Sequence, residues 1–120
     1  MICCPNPAAI ACWGFDNELV IKRLGFSSVE AYYQASSALQ ILPQISKPTL
    51  ILYAADDPLF DPAIIPELKD ACDRNPIIDL LLTQYGGHVG YLSSKECQHQ
   101  VQDSDPWWAW NRVLQWLEEK

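Results

Sequence analysis

Two apolar runs constrain the fold of this chain more than any other feature. Thr49 to Ala54, "TLILYA", and Ile77 to Thr83, "IIDLLLT", are short, nearly unbroken in hydrophobicity and each preceded by a proline. Runs of this kind, as opposed to strict alternation, mark strands covered on both faces, as in a parallel sheet. The segment between them suits a helix. Proline is tolerated in a first helical turn and not in the interior, so the helix should begin between Pro62 and Pro66 and run to about Asp73. Asn75-Pro76 then turns the chain into the second strand. Strand, helix, strand is a βαβ unit, whose strands run parallel and whose crossover is right-handed in nearly all cases. The expected class is therefore α/β.

Helices flank this unit. In Ser28 to Leu39, "SVEAYYQASSAL", Val29, Tyr32, Tyr33 and Ser36 share one face, with Ser27 or Ser28 as N-cap and Glu30 in the first turn. Pro43 and Pro48 bracket a linker. Near the end, Asp105 can cap a helix that has Pro106 at its first position, and Trp110, Val113, Leu114 and Leu117 repeat at amphipathic spacing.

In a βαβ unit the loops "ADDPLFDP" and "YGGHVGYL" leave the carboxyl ends of neighbouring strands, the edge where open α/β sheets bind ligands. Asp57 stands just past the first strand and His88 just past the second, so the two can meet across adjacent loops. An aspartate that accepts the imidazole Nδ1–H fixes the tautomer and leaves Nε2 free as a general base. Gly86 and Gly87 supply the backbone freedom such a turn demands. Each element taken singly has an ordinary reading as loop or turn. Their order, strand, D-D-P, helix, strand, G-G-H, helix, is what points to chemistry.

Composition narrows the alternatives. The 120 residues are 49% hydrophobic and carry a formal charge of −7, with no basic stripe to meet a polyanion, so nucleic acid is not an expected partner. No apolar stretch approaches the roughly 20 residues of a membrane span. The opening "MICCPNPAAIACWGF" has no Lys or Arg and is broken by Pro5 and Pro7, which makes a poor signal peptide and leaves the cytoplasm as the expected location. Five cysteines (Cys3, Cys4, Cys12, Cys72, Cys97) include no C-x-x-C pair, so reduced thiols are expected and neither a disulfide framework nor a zinc ribbon. No cofactor or resident metal is expected.

The segments "PTLILYAADDPLFDP" and "NPIIDLLLTQYGGHVGYL" together resemble the carboxyl-terminal part of an α/β-hydrolase. "FDNELVIKRLGFSSVEAYYQASSALQILPQISKPTL", with its F-D, G-F-x-S and Y-Y elements, resembles more narrowly the YheT-like branch of esterases and acylglycerol lipases. The resemblance implies that Asp57 is the acid and His88 the base of a catalytic triad, with Asp56 the rival for the acid. It implies that the two strands are the seventh and eighth of a mostly parallel eight-stranded sheet. Residues 15–45 would form a cap-like helical excursion and 46–120 the last two strands and the C-terminal helix of a partial hydrolase domain, with 1–14 unassigned.

The departure from the family is equally informative. Its nucleophile precedes the acid and base in a G-x-S-x-G elbow, and no such elbow occurs here; Ser27, Ser28, Ser36, Ser37 and Ser46 lack the glycine spacing. The expected object is thus the C-terminal portion of a serine ester hydrolase with an incomplete sheet, acting on a small-molecule ester or acyl substrate only when complete. Self-association, or dependence on a complementing N-terminal fragment, follows from the unpaired strand edge. Two other readings stay open: a non-catalytic remnant or interaction module of the same fold, and a small α/β domain binding a divalent cation through Asp56, Asp57 and Asp61.

Overall fold

The computed structural model describes residues 12–120. Its chain begins with a helical stretch that includes a π-helical turn, Asp16–Val20, and runs into α1, Ile21–Leu24. Gly25 ends α1 in the left-handed conformation (φ 76°), its N–H donating to the Ile21 carbonyl, a common helix stop that costs glycine little. Three residues later the Ser28 hydroxyl accepts the Ala31 N–H and opens α2, Val29–Ser36. The G-F-x-S element is therefore a helix stop followed by a helix start. Trp13 Nε1 donates to Glu30 and the Tyr33 hydroxyl to Asp16, tying the first helical stretch to α2. Helix α2 ends sooner than its apolar spacing suggests, because the Ser37 side chain accepts the Leu39 N–H and diverts the backbone into 3-10 turns at Ala38–Gln40 and Leu42–Gln44.

The strands form where the apolar runs predict them. Thr49–Ala54 is β1 and Ile78–Thr83 is β2, one residue shorter than expected at its start. They pair in parallel, with Thr49 opposite Ile78 and Ala54 opposite Thr83. Helix α3, Ile64–Asp73, connects them. It starts between the two prolines, with Pro66 at its third position, where no intrahelical acceptor awaits an N–H.

Core packing is concentrated on one side of this unit. Leu42, Leu68, Cys72 and Ile78 are buried together, with Leu39, Ile45, Ile51, Tyr53, Ala71 and Leu80 packed around them. Asn75 is the buried polar hub: its amide donates to the carbonyls of Leu42 and Ile45, both at 2.9 Å, and its oxygen accepts the Ile77 N–H. One side chain so satisfies a carbonyl at each end of the second 3-10 turn and shapes the turn into β2. Cys12, Cys72 and Cys97 are free thiols, and burial pushes that of Cys72 up from its ordinary value; Cys3 and Cys4 lie outside the described residues.

Three expectations are corrected. The strands are not fully buried as their apolar runs suggest: only Ala54 in β1 and Ile78 in β2 are buried, and among the described residues the sheet has two strands, so each leaves one edge unpaired. A helix that apolar periodicity did not indicate, α4 at Lys95–Val101, follows the second loop, opened by the Ser94 hydroxyl accepting the Cys97 N–H. The last helix, α5, spans Trp108–Glu118 and is not capped by Asp105. The Asp105 carboxylate instead accepts from the Trp107 N–H and the Asn111 amide, while the Pro106 carbonyl takes the N–H groups of Ser93 and Trp108. These bonds fold residues 105–107 into a turn ahead of the helix.

Helix α5 lies against the sheet through Trp116, whose Nε1 donates to Asp79 of β2 at 2.6 Å. That bond, and Lys120 beside it, hold the Asp79 carboxyl below the usual carboxylate range. Trp108 stacks on Tyr91, with Arg112 over its ring. Trp107, Trp110, Leu114 and Leu117 face solvent. Among the described residues no helix is long and apolar enough to cross a membrane.

Candidate functional site

The last backbone rung between the strands is the bond from the Ala55 N–H to the Thr83 carbonyl, at 2.7 Å. Beyond it the two chains separate into loops, and side chains take over the connection. Asp57 Oδ2 lies 3.0 Å from His88 Nδ1. Its other oxygen, Oδ1, accepts the Leu59 N–H at 2.9 Å, so both carboxylate oxygens are held. The Asp57 side chain is only 7% exposed and that of His88 49%. The carboxylate is thus shielded while the ring's far edge faces out. With Nδ1 protonated and donating to Asp57, Nε2 is the nitrogen left to exchange a proton with a group arriving from solvent.

Aromatic rings wall this pair. Phe60 from the first loop lies 6.2 Å from the His88 ring and 6.2 Å from Tyr53 of β1. Burial first, and the Asp57 carboxylate second, push the Tyr53 and Tyr91 hydroxyls up from their ordinary value.

The second loop is shaped by its glycines for two different reasons. A side chain on Gly86 would place its Cβ 2.6 Å from the Tyr91 ring and 3.0 Å from the Ala54 Cβ. Gly87 has open space around it but sits at φ 59°, a conformation that L side chains rarely adopt. The Gly86 carbonyl accepts the N–H groups of Gly90 and Tyr91, closing the turn that carries His88. Tyr91 itself holds a positive φ of 43°.

The structure brings Asp57 and His88 together and separates them from the other candidates. Asp56, the rival acid, accepts the Gly87 N–H at 2.8 Å. Asp61 accepts the Ala63 N–H ahead of α3. The three aspartates of the loop thus turn to different partners. Among the described residues no group of three or more His, Cys, Asp or Glu side chains is placed to hold a metal ion. Cys97, on α4, lines an open cavity of about 240 Å³ with Thr83, Gly86, Tyr91, Ser94 and Trp108; His88 is not part of that lining. The bond from Asp56 to Gly87 is the feature that sequence reasoning missed, and the only hint of it was the doubled aspartate set against the doubled glycine.

Comparisons with known proteins agree on one group. The chain is 54% identical over 108 residues, 90% of its length, to "Putative esterase slr0264" of Synechocystis (strain PCC 6803). It is 33% identical over 103 residues to "Putative esterase YheT" of Escherichia coli K12. Over 82 residues it is 35% identical to "Monoacylglycerol lipase" of Saccharomyces cerevisiae. It spans 29%, 28% and 17% of the lengths of these three relatives, less than a third of each. No family model and no solved structure matches. On these matches the chain belongs, along most of its own length, with the YheT-like esterases and acylglycerol lipases.

Proposed function

We propose that this chain is the C-terminal portion of an α/β-hydrolase that cleaves carboxylic esters, supplying the acid and the base of its catalytic triad but not the nucleophile. The contact of His88 Nδ1 with the shielded Asp57 carboxylate carries this reading. Asp57 orients the imidazole and stabilises its protonated form. His88 Nε2 takes the proton of a serine hydroxyl as it attacks the ester carbonyl, then returns a proton to the departing alcohol. That serine comes from a segment of the protein other than this one. In the complete enzyme β1 and β2 are the last two strands of the sheet, residues 46–120 their module, and residues 15–45 a cap-like excursion beside the active site. The relatives named as esterases and as a monoacylglycerol lipase support an ester or acyl substrate.

Without nucleophile and oxyanion donors, catalysis falls by orders of magnitude: loss of the nucleophile alone costs about 10⁶ in turnover. The chain by itself is therefore inactive and depends on a complementing portion.

Grafting tests the reading. The 108 matched residues replace the corresponding stretch of the Synechocystis relative, and p-nitrophenyl ester hydrolysis is measured beside the unmodified relative. The graft should hydrolyse ester at a comparable rate, His88→Ala should lower turnover by about 10⁴ to 10⁶, and Asp57→Asn by about 10⁴. A graft that is active and indifferent to His88→Ala would overturn the assignment.

A further inference from the structure

We propose that Asp56 is a positioning residue, a side-chain rung that continues the strand pairing past its last backbone bond and sets the place of His88. The inference rests on the Asp57/His88 pairing read above and goes beyond it.

The register carries the argument. Along the strands each residue of β1 faces one 29 positions later, from Thr49 and Ile78 to Ala54 and Thr83. The two side-chain links beyond the strands both join residues 31 apart, Asp56 to Gly87 and Asp57 to His88. The second loop has therefore gained two residues on the first, and no continuation of the ladder could hold it there. Successive carboxylates instead reach successive residues of the partner loop. The Gly86 turn, crowded between Ala54 and Tyr91, absorbs the extra length.

The Asp56 bond differs in kind from that of Asp57. It grips the backbone N–H of Gly87, at 2.8 Å, in the residue that needs a left-handed φ of 59° directly before His88. A carboxylate on that amide fixes the conformation from which the His88 side chain departs. Asp57 then meets an imidazole already aimed at it. Gly87 suits this role because the required φ of 59° favours a residue without Cβ.

Imidazole nitrogen NMR on the 120-residue chain tests this. The protein has two histidines, so His99 on α4 is an internal reference, assigned with His99→Gln. At mildly alkaline pH the wild-type His88 should show the Nδ1-protonated tautomer, while His99 should show the Nε2-protonated form that a solvent-exposed neutral histidine favours. Asp56→Ala should move His88 to the His99-like pattern and speed exchange of the Gly87 amide about tenfold, the loss expected for a hydrogen bond to a charged group. Asp56→Asn, whose amide oxygen can still accept that N–H, should keep the wild-type pattern with circular dichroism unchanged. Should Asp56→Ala leave the tautomer untouched while Asp57→Ala shifts it, the positioning role is overturned and the pairing stands. Should Asp57→Ala also leave it untouched, the pairing itself falls, and the role of Asp56 with it.

Discussion

The polar side chains of the loops at the carboxyl edge of the strands and the apolar outer face of α5 end in opposite states. At the loops, Asp57 holds His88 and the Leu59 N–H, Asp56 holds Gly87, and Tyr91 stacks on Trp108. On α5 and at the residue before it, Trp107, Trp110, Leu114 and Leu117 point outward, between 56% and 66% exposed. The two loop carboxylates find their partners inside one βαβ unit, because the pairing of two adjacent strands sets their ends side by side. The outer face of α5 has no such local partner among the described residues. An apolar stripe on a helix, left in water, marks a surface meant for contact, and the chain spans less than a third of its esterase relatives. The Asp57/His88 pairing is thus locally complete in a segment whose hydrophobic surface is not.

Substitutions on the two sides should therefore differ in size. Gly86→Ala would drive a methyl into the Tyr91 ring and the Ala54 Cβ, and because Tyr91 is stacked on Trp108 the ring has little room to yield. It should destabilise the chain by about 1–3 kcal/mol, the range for overpacking, in a urea melt. Leu114→Glu with Trp110→Glu, on the exposed stripe, should change stability by no more than about 0.5 kcal/mol each. The same pair should shift sedimentation toward the monomer, since burying that stripe is what would drive copies together. If the glutamates cost as much as Gly86→Ala, the contrast between the two regions fails.

The smallest expected effect lies at the other end of the chain. Burial first, and the Asp16 carboxylate accepting its hydroxyl second, push Tyr33 up to about 12. The folded chain then holds a proton that the unfolded chain releases near 10. This contribution to stability is fully present below about pH 10 and is lost as pH rises toward 12. Asp16→Asn should flatten that alkaline decline in a pH series of thermal melts, with little change near neutrality.

Much of this organisation is legible in the sequence, and the gaps have physical causes. The strands were readable because continuous apolar runs between prolines admit few alternatives, and β1 matches its run residue for residue. Asp57 and His88 meet because parallel pairing sets their loops side by side. Helix α4 was invisible because "KECQHQV" has almost no apolar face, and its start depends on one serine hydroxyl. The turn at Asp105 was misplaced because an aspartate ahead of a proline can serve either a cap or a tight turn, and the Ser93 and Trp108 bonds to the Pro106 carbonyl decide for the turn. Burial of both strand faces is what the continuous apolar runs suggest, but coverage depends on neighbouring elements that a run of residues does not reveal.

The most direct test of the account is hydrolysis of a p-nitrophenyl ester by the purified 120-residue chain, compared with its His88→Ala variant. The proposed acid and base are present and no serine of the sequence stands in a G-x-S-x-G elbow, so the two proteins should hydrolyse the ester at the same background rate. Turnover by the wild-type chain that disappears with His88 would contradict the account, because it would place a working nucleophile within these residues or within an assembly of their copies.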